Sequence, residues 1–273
     1  MITFSKLGSA GEYANQLFQV ATTIGHAVEN NDKYILPRWY CVVSGNQYSD
    51  YFKNKELLNE TTDTIITDSF WKEPTFTYTP IEYVANKNVD LHGYFQCEKY
   101  FKEAREVIIK AYEPNDEISE IINTFDYKNS VALQLRYYDK VRPHGSNPSV
   151  VPYLDPSHIY YTVEDNYDFF KTAINFFGKN KTYYVSTNNF AKAKNMFKNY
   201  KNFVFLDEIP HKSKFFVQTK CEHNIISNST YGWWGAWLNN NPDKIVYAPE
   251  KWFKIKDEWH NSKDVIPETW RVI

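Results

Sequence analysis

Two short segments carry residue types suited to chemistry on a phosphorylated substrate. The first is Gln134-Leu135-Arg136-Tyr137-Tyr138-Asp139, with Arg142 three residues further on. A planar guanidinium can meet two phosphate oxygens at once, which an ammonium cannot. Only five of the 31 basic residues are arginines (Arg38, Arg105, Arg136, Arg142 and Arg271), so each invites a reason. An arginine paired with Asp139 for structural purposes would read the same way. The second segment is Ile225-Ile226-Ser227-Asn228-Ser229-Thr230, leading from a strand pattern into a helix near Tyr231. A helix start offers unpaired N–H groups and a positive dipole end to an anion, and hydroxyls there add donors. Alone it is an ordinary helix cap. With Arg136 on a neighbouring strand of the same edge, it makes a cradle for a diphosphate.

Several chemistries lack their signatures. The chain has no Gly-x-Gly-x-x-Gly, no Gly-Lys-Ser/Thr loop and no Gly-x-Ser-x-Gly elbow, which disfavours dinucleotide oxidoreductases, P-loop enzymes and α/β-hydrolases. It has no Asp-x-Asp pair, and its seven histidines form no metal-spaced cluster, so no metal site is expected. Cys41, Cys97 and Cys221 are too widely spread for zinc and read as small buried hydrophobes in a reducing compartment.

The elements that must position these residues follow from hydrophobic period. Leu17, Val20, Ala21, Ile24 and Val28 predict a helix over Asn15–Glu29, stopped by Asn30, Asn31 and Asp32, with Gly8 and Gly11 in the loop before it. Strands are expected at Lys33–Leu36, Thr64–Ile66 and Val89–Gly93, and a helix over Glu98–Tyr112. From Ser130 the alternation is regular. Strands at 131–135, 182–186, 203–206, 224–227 and 244–247 alternate with helices at 167–177, 190–198, 213–221 and 231–239, which describes a parallel, doubly wound sheet. Such sheets bind ligands at the carboxyl ends of their strands. A domain boundary is expected in the polar stretch Tyr112–Asn129, and Tyr137–Glu164 reads as a lid or acceptor wall.

With 273 residues, 42% hydrophobic and 23% charged, the chain suits one large or two ordinary globular domains. A formal charge of -2 removes the basic excess that drives nucleic-acid binding. No apolar run approaches the roughly 20 residues of a membrane helix, and the start MITFSKLGSAGEYANQ lacks a signal-peptide core. A cytoplasmic protein is expected. Aromatics reach 18%, with 8 Trp and 22 Tyr, and exposed aromatic faces would suit sugar rings; an AT-rich coding bias would give the same excess. A diphosphate ligand without a metal, in a two-lobed α/β protein rich in aromatics, suggests a nucleotide-sugar transferase.

Four segments carry a resemblance. Gly11 to Ala21, GEYANQLFQVA, resembles the Gly-Gly-Leu-Gly-Asn-Gln-Met/Leu-Phe-Gln-Tyr-Ala opening of family 11 glycosyltransferases, the α-1,2-fucosyltransferases. His92 to Phe101, HGYFQCEKYF, is similar to that family's Gly-Tyr-Phe-Gln-Ser-Glu-Lys-Tyr-Phe segment. Ile225 to Leu238, IISNSTYGWWGAWL, resembles its Ser-Asn-Ser-Ser-Phe-Ser-Trp-Trp-Gly-Ala-Trp-Leu block, and Ile266 to Trp270 resembles its usual ending. The resemblance implies an α/β protein of two Rossmann-like lobes, the GT-B type, with the parallel doubly wound sheet in the C-terminal lobe. Residues 1–128 would form the acceptor-side lobe and 129–273 the nucleotide-sugar lobe. It implies inverting, metal-independent transfer of L-fucose from GDP-fucose, in α-1,2 linkage, to a galactoside-type glycan. The donor is a substrate and no cofactor is implied. Partners would be the donor and a glycan acceptor, with peripheral association with lipid-linked glycans left open.

The family signature His-x-Arg-Arg-Gly-Asp-Tyr falls on Gln134 to Lys140, where Arg136 and Asp139 are kept, Gln134 replaces the His, Tyr137 the second Arg and Tyr138 the Gly. The resemblance gives Arg136 the β-phosphate, with Ser227, Asn228, Ser229 and Thr230 beside it. Ser186, Asn188 and Asn189 fall where the family usually reads Ser-Asp-Asp, whose carboxylate would accept from guanine N–H groups. With Gln134, the amides Asn188 and Asn189 would then face the base and weaken selectivity for GDP. In the first loop, Glu12 stands next to Asn15 as a candidate base for the acceptor hydroxyl; a solvated loop glutamate is the plainer reading. Rival readings are the same reaction with a UDP- or dTDP-linked 6-deoxyhexose, and a degenerate member that binds glycans without catalysis.

Overall fold

In the computed structural model, which describes residues 1–138 and 156–273, the chain divides into two units. One is Met1–Glu117 with Asp257–Pro267; the other is Ile118–Lys256 with Glu268–Ile273. Asp139, Arg142 and most of the expected lid lie outside the described residues.

The first unit is built on β1 (Ile2–Thr3), helix α1 (Tyr13–Glu29), β2 (Tyr34–Pro37), β3 (Glu60–Thr61), β4 (Ser69–Lys72), β5 (Val89–His92) and helix α2 (Arg105–Ala111). Its strands pair in parallel in the order β3-β2-β1-β5-β4. Leu17, Val20, Ala21 and Ile24 make α1 a core helix. The polar Gln16, Gln19, Thr22, Thr23 and His26 are buried with them, so the helix is enclosed rather than amphipathic. It ends as expected, with Asn31 in the left-handed region (φ 49°), a conformation asparagine tolerates.

Two expectations for this unit fail. Thr64–Ile66 forms no strand; it lies between β3 and β4, with Ile66 76% exposed. Its β-branched residues suit a strand, but a strand needs a partner to pair with and a face to bury. The helix expected over Glu98–Tyr112 is broken into 3-10 turns at Glu98–Tyr100 and Lys102–Ala104 before α2 begins, because Phe101 turns out of helical geometry (φ -154°, ψ 4°) as it buries its ring.

After α3 (Asp116–Ile122) come β6 (Ser130–Leu135), α4 (Tyr167–Phe177), β7 (Thr182–Thr187), α5 (Phe190–Met196), β8 (Phe203–Phe205), α6 (His211–Lys220), β9 (His223–Ile225), α7 (Thr230–Trp237), β10 (Val246–Ala248) and β11 (Arg271–Val272). The second unit's six-stranded sheet is parallel throughout, in the order β11-β10-β9-β6-β7-β8. Every residue of β6 is buried, as a central strand covered on both faces requires. Val131, Leu133 and Leu135 pack with Phe170, Ala173, Ile174, Ala193 and Phe197 of α4, α5 and its C-terminal end. Gln134, one residue out of step, faces α7 instead: a Cβ on Gly232 would stand 2.7 Å from its Oε1. Gly232 therefore lets the tryptophan helix lie close against the central strand.

The aromatic surplus is mostly core. Trp39, Trp233, Trp234, Trp237, Trp252 and Trp270 are buried, and Trp71 and Trp259 are half-buried. The tryptophans of α7 fill the interior of the second unit, with Trp233 and Trp237 stacked at 6.1 Å and Trp270 packed on Trp233. The tryptophans follow the drive to bury large apolar area, whereas tyrosines such as Tyr40, Tyr83, Tyr160 and Tyr161 stay exposed or half-buried. Cys41, Cys97 and Cys221 are buried and free.

Candidate active site

Three neighbouring strands of the second unit, β7, β6 and β9, end side by side, and the residues singled out by sequence follow them directly. Arg136 is the first residue after β6. Among the described residues its guanidinium meets an aromatic ring: Cζ lies 5.6 Å from the centroid of Tyr138. The opposing structural contacts fall to Tyr138, whose hydroxyl donates to the Asn228 carbonyl at 2.6 Å and whose ring lies parallel to Tyr160 at 4.5 Å. Phe253 continues this aromatic wall at 5.5 Å from Tyr160. Tyr138 was missed as a site residue; the signal was its bulk where the related motif has glycine.

The β9–α7 turn is tied to β6. Ser227 N donates to the Gln134 carbonyl (3.1 Å) and its Oγ to Gln134 Oε1 (2.5 Å). Asn228 Nδ2 donates to the Trp252 carbonyl (2.7 Å) while its Oδ1 is buried without a hydrogen bond. Ser229 is the N-cap of α7, yet its side chain makes no capping bond, so the helix start is not sealed by its own serine. Thr230 opens the helix. Arg136 and this helix start thus flank the ends of two adjacent strands, with positive charge and a positive dipole end on the same edge.

The residues expected at the nucleobase are engaged with the protein. Gln134 is buried and holds Ser227. Asn188 accepts from Tyr137 N at 2.8 Å and donates to the Tyr137 carbonyl at 2.8 Å. Asn189 caps α5, its Oδ1 accepting from Lys192 N at 3.1 Å. Ser186, 1% exposed and in register with Gln134 on β7, has a buried Oγ without a hydrogen bond. Tyr137, where the related motif has its second arginine, is buried, with its hydroxyl toward Met196 Sδ and Lys192 Nζ 5.6 Å from its ring centroid.

In the first unit, the β1–α1 loop is shaped by Gly11 (φ +72°), on which a Cβ would meet Asn15 at 2.6 Å. Gln16 Nε2 donates to the Gly11 carbonyl (2.9 Å) and its Oε1 accepts from Trp39 Nε1 (2.8 Å). Gln19 Nε2 reaches the Ala10 and Gly93 carbonyls, each at 3.3 Å, joining this loop to the one after β5. Asn15 Oδ1 accepts from Gln96 Nε2 at 3.2 Å across the same junction. Glu12 is exposed at the N-cap of α1 and makes no capping bond.

Sequence reading missed two acidic groups here. Glu73, fully buried, accepts from Tyr94 N (2.7 Å) and Phe95 N, and burial pushes its carboxyl up to about 7 despite those bonds. Asp90, 6% exposed, accepts from Ser5 N (2.8 Å) and Ser5 Oγ, and its Oδ2 lies 2.8 Å from His92 Nε2. Ser5 lies 85 residues from Asp90 and Tyr94 lies 21 from Glu73, pairings that no local pattern marked; the two-residue spacing of Asp90 and His92 was the local signal. Among the described residues, no three His, Cys, Asp or Glu side chains come together as a metal site, and no helix is long and apolar enough to cross a membrane.

A family model described as glycosyl transferase family 11 matches residues 11–273. The chain is 30% identical to the O-antigen biosynthesis glycosyltransferase WbnK of Escherichia coli over 179 residues, 60% of this chain and 55% of that protein. It is 27% identical to an alpha-1,2-colitosyltransferase of Escherichia coli over 190 residues, 67% of this chain and 62% of that one. The matched regions therefore span little more than half the length of these relatives. Among solved structures, the fucosyltransferase NodZ from Bradyrhizobium aligns with a TM-score of 0.54 at 10% identity, covering 86% of this chain and 91% of that one. POFUT1 in complex with GDP aligns with a TM-score of 0.51 at 12% identity, covering 90% and 97%. Both likenesses are of fold, and they fit two parallel α/β units of GT-B type.

Proposed function

The chain belongs to glycosyl transferase family 11, and from that premise we propose that it is an inverting, metal-independent, cytoplasmic glycosyltransferase moving a 6-deoxyhexose from a nucleoside diphosphate to a glycan hydroxyl. The donor favoured is GDP-fucose, and the linkage α-1,2 to a galactoside-type acceptor. The name of the colitosyltransferase relative supports both a deoxygenated hexose and a 1,2 linkage.

The single observation that carries the reading is the placement of Arg136 and the α7 start at the ends of adjacent strands β6 and β9. As the acceptor oxygen bonds to the anomeric carbon, the bond to the leaving phosphate breaks and negative charge grows on the β-phosphate. Donors already in place for that charge lower the barrier without reorganising, usually the largest catalytic term. Arg136 takes this role, with Ser229, Thr230 and the turn Ser227–Asn228 beside it. Ser186 and the loop of Asn188 and Asn189 border the nucleoside, Gln134 positions the turn, and Asp139 retains the family's acid. Asn15 and Glu12 form the acceptor-side rim of the first unit. The engaged amides keep one rival open, a UDP- or dTDP-linked 6-deoxyhexose.

The test is turnover of GDP-, UDP- and dTDP-linked 6-deoxyhexoses by the purified chain with a galactoside acceptor. Nucleoside diphosphate release is followed in solution, and the anomeric configuration and linkage of the product by NMR. Absence of transfer from every donor would overturn the reading in favour of a glycan-binding role.

A further inference from the structure

Arg136 and the α7 start can serve one diphosphate only at a fixed separation, yet they belong to different segments of the second unit, the one after β6 and the one after β9. One side chain touches both. Tyr138 lies two residues past Arg136, whose Cζ stands 5.6 Å from its ring centroid, and its hydroxyl donates at 2.6 Å to the carbonyl of Asn228, in the turn that leads into α7. Burial holds the phenol well above its ordinary value, so the hydroxyl stays a donor.

The ring has little freedom of its own. It lies parallel to Tyr160 at 4.5 Å and 7°, Tyr160 bridges Phe253, and Lys254 N donates to the Ile159 carbonyl at 2.7 Å. Asn228 Nδ2 reaches the Trp252 carbonyl at 2.7 Å, which closes a loop of contacts through Tyr138, Tyr160, Phe253, Trp252 and Asn228. All of them belong to the second unit. Arg136 has no ion pair among the described residues, so this fixed ring is what orients it. A cation–π contact leaves the N–H donors uncommitted, whereas a carboxylate partner would take them from a phosphate.

Resting on the glycosyltransferase reading, we infer that Tyr138 is the positioning residue of the leaving-group site: its ring orients Arg136, and its hydroxyl fixes the turn before α7. The two donors are then held at one separation before the diphosphate arrives, so less entropy is lost when it binds.

The experiment is calorimetric titration of GDP, UDP and dTDP, and of the matching monophosphates, into wild type, Tyr138→Leu, Tyr138→Phe, Arg136→Gln, and Arg136→Gln combined with Tyr138→Leu. The ratio of diphosphate to monophosphate affinity isolates the β-phosphate; a merely structural role would weaken both nucleotides alike. Tyr138→Leu should lower that ratio about tenfold, and Tyr138→Phe, which keeps the ring but frees it from Asn228, about threefold. In the Arg136→Gln background the leucine substitution should cost less than about threefold, because most of its effect passes through the guanidinium. An unchanged ratio in Tyr138→Leu, equal weakening of both nucleotides, or a full tenfold effect without Arg136 overturns the assignment. So does a Tyr138→Phe ratio equal to that of wild type, which removes the hydroxyl's part, or equal to that of Tyr138→Leu, which removes the ring's. If Arg136→Gln leaves the ratio as in wild type, the functional reading fails and takes this inference with it; a ratio that falls in Arg136→Gln but holds in Tyr138→Leu removes the inference alone.

Discussion

The carboxamide of Asn188 is closed onto the backbone of Tyr137, accepting from its N–H and donating to its carbonyl, both at 2.8 Å. The last paired rung between β6 and β7 is Leu135 with Thr187. Asn188 therefore extends the ladder past its end with a side chain, and the residue it brackets against the strand is Arg136. A flexible loop arginine would lose side-chain and backbone entropy on meeting a phosphate; one whose flanks are pinned loses less. The backbone of Tyr137 and the ring of Tyr138 together set where the guanidinium stands.

Arg136→Lys should leave the melting temperature near that of wild type, because the guanidinium carries no ion pair among the described residues. It should lower kcat/KM by roughly 2 to 4 kcal/mol in transition-state terms, the scale of a lost oxyanion donor. Steady-state kinetics on the purified variant check this. Near-normal turnover would remove Arg136 from the leaving-group site.

Gly232→Ala should destabilise the second unit. The added Cβ would stand 2.7 Å from Gln134 Oε1 and 3.1 Å from Ile226 Cβ, and Gln134 cannot swing away without breaking its bond to Ser227. Overpacking of this kind costs about 1 to 3 kcal/mol, readable in chemical denaturation. An unchanged midpoint would mean that α7 shifts freely, contrary to its packed tryptophans.

The carboxyl of Glu73 gives stability a pH dependence. Its ordinary value is 4.5 and burial raises it to about 7 in the folded chain, so between these values the folded state holds a proton the unfolded chain has released. Its contribution is complete below about 4.5 and is lost as pH rises through 7, a total of roughly 3 kcal/mol. Glu73→Gln should remove that part of the slope, because one oxygen, Oε2, already accepts from both Tyr94 N and Phe95 N. Unfolding free energies measured from pH 4 to pH 8 decide it; parallel curves for the two proteins would refute the assignment.

Much of the second unit was legible because its signals are redundant. Its strands are short apolar runs, each bounded by polar turns, and the alternation with helices leaves few topologies. The first unit was harder. Ile2–Thr3 is the central strand, yet two residues carry no period, and the stretch that looked like a strand, Thr64–Ile66, has no neighbour to pair with. At the site, Arg136 and the Ser227–Thr230 turn could be found by type and position. What the amides do could not, since Asn188 and Gln134 act on backbone groups and neighbours that only folding brings to them.

Chelator should leave turnover unchanged. The sequence has no Asp-x-Asp pair to hold a divalent ion on a diphosphate, and the proposed mechanism assigns the leaving-group charge to Arg136 and the α7 start. Activity in EDTA is the measurement. A loss restored by manganese or magnesium would show that a metal shares that work.

The nucleobase offers the sharpest contrast between sequence and geometry. Three amides, Gln134, Asn188 and Asn189, stand where a histidine and carboxylates are usual, and an amide that could rotate would tolerate several bases. Their hydrogen bonds remove much of that freedom. Asn188→Asp would set a carboxylate against the Tyr137 carbonyl, trading a donated hydrogen bond for repulsion, so it should loosen the loop and weaken all nucleotides alike. Asn189→Asp differs, because aspartate caps a helix as well as asparagine does and would keep the bond from Lys192 N while adding a charged acceptor for guanine N–H groups. It should raise the preference for GDP over UDP by about tenfold, roughly 1.4 kcal/mol. The wild type should prefer GDP only modestly. Competitive binding of GDP, UDP and dTDP to the three proteins tests both points. A wild-type preference above about a thousandfold, roughly 4 kcal/mol, would assign guanine recognition to other groups, with the backbone after Ser186 the first to examine.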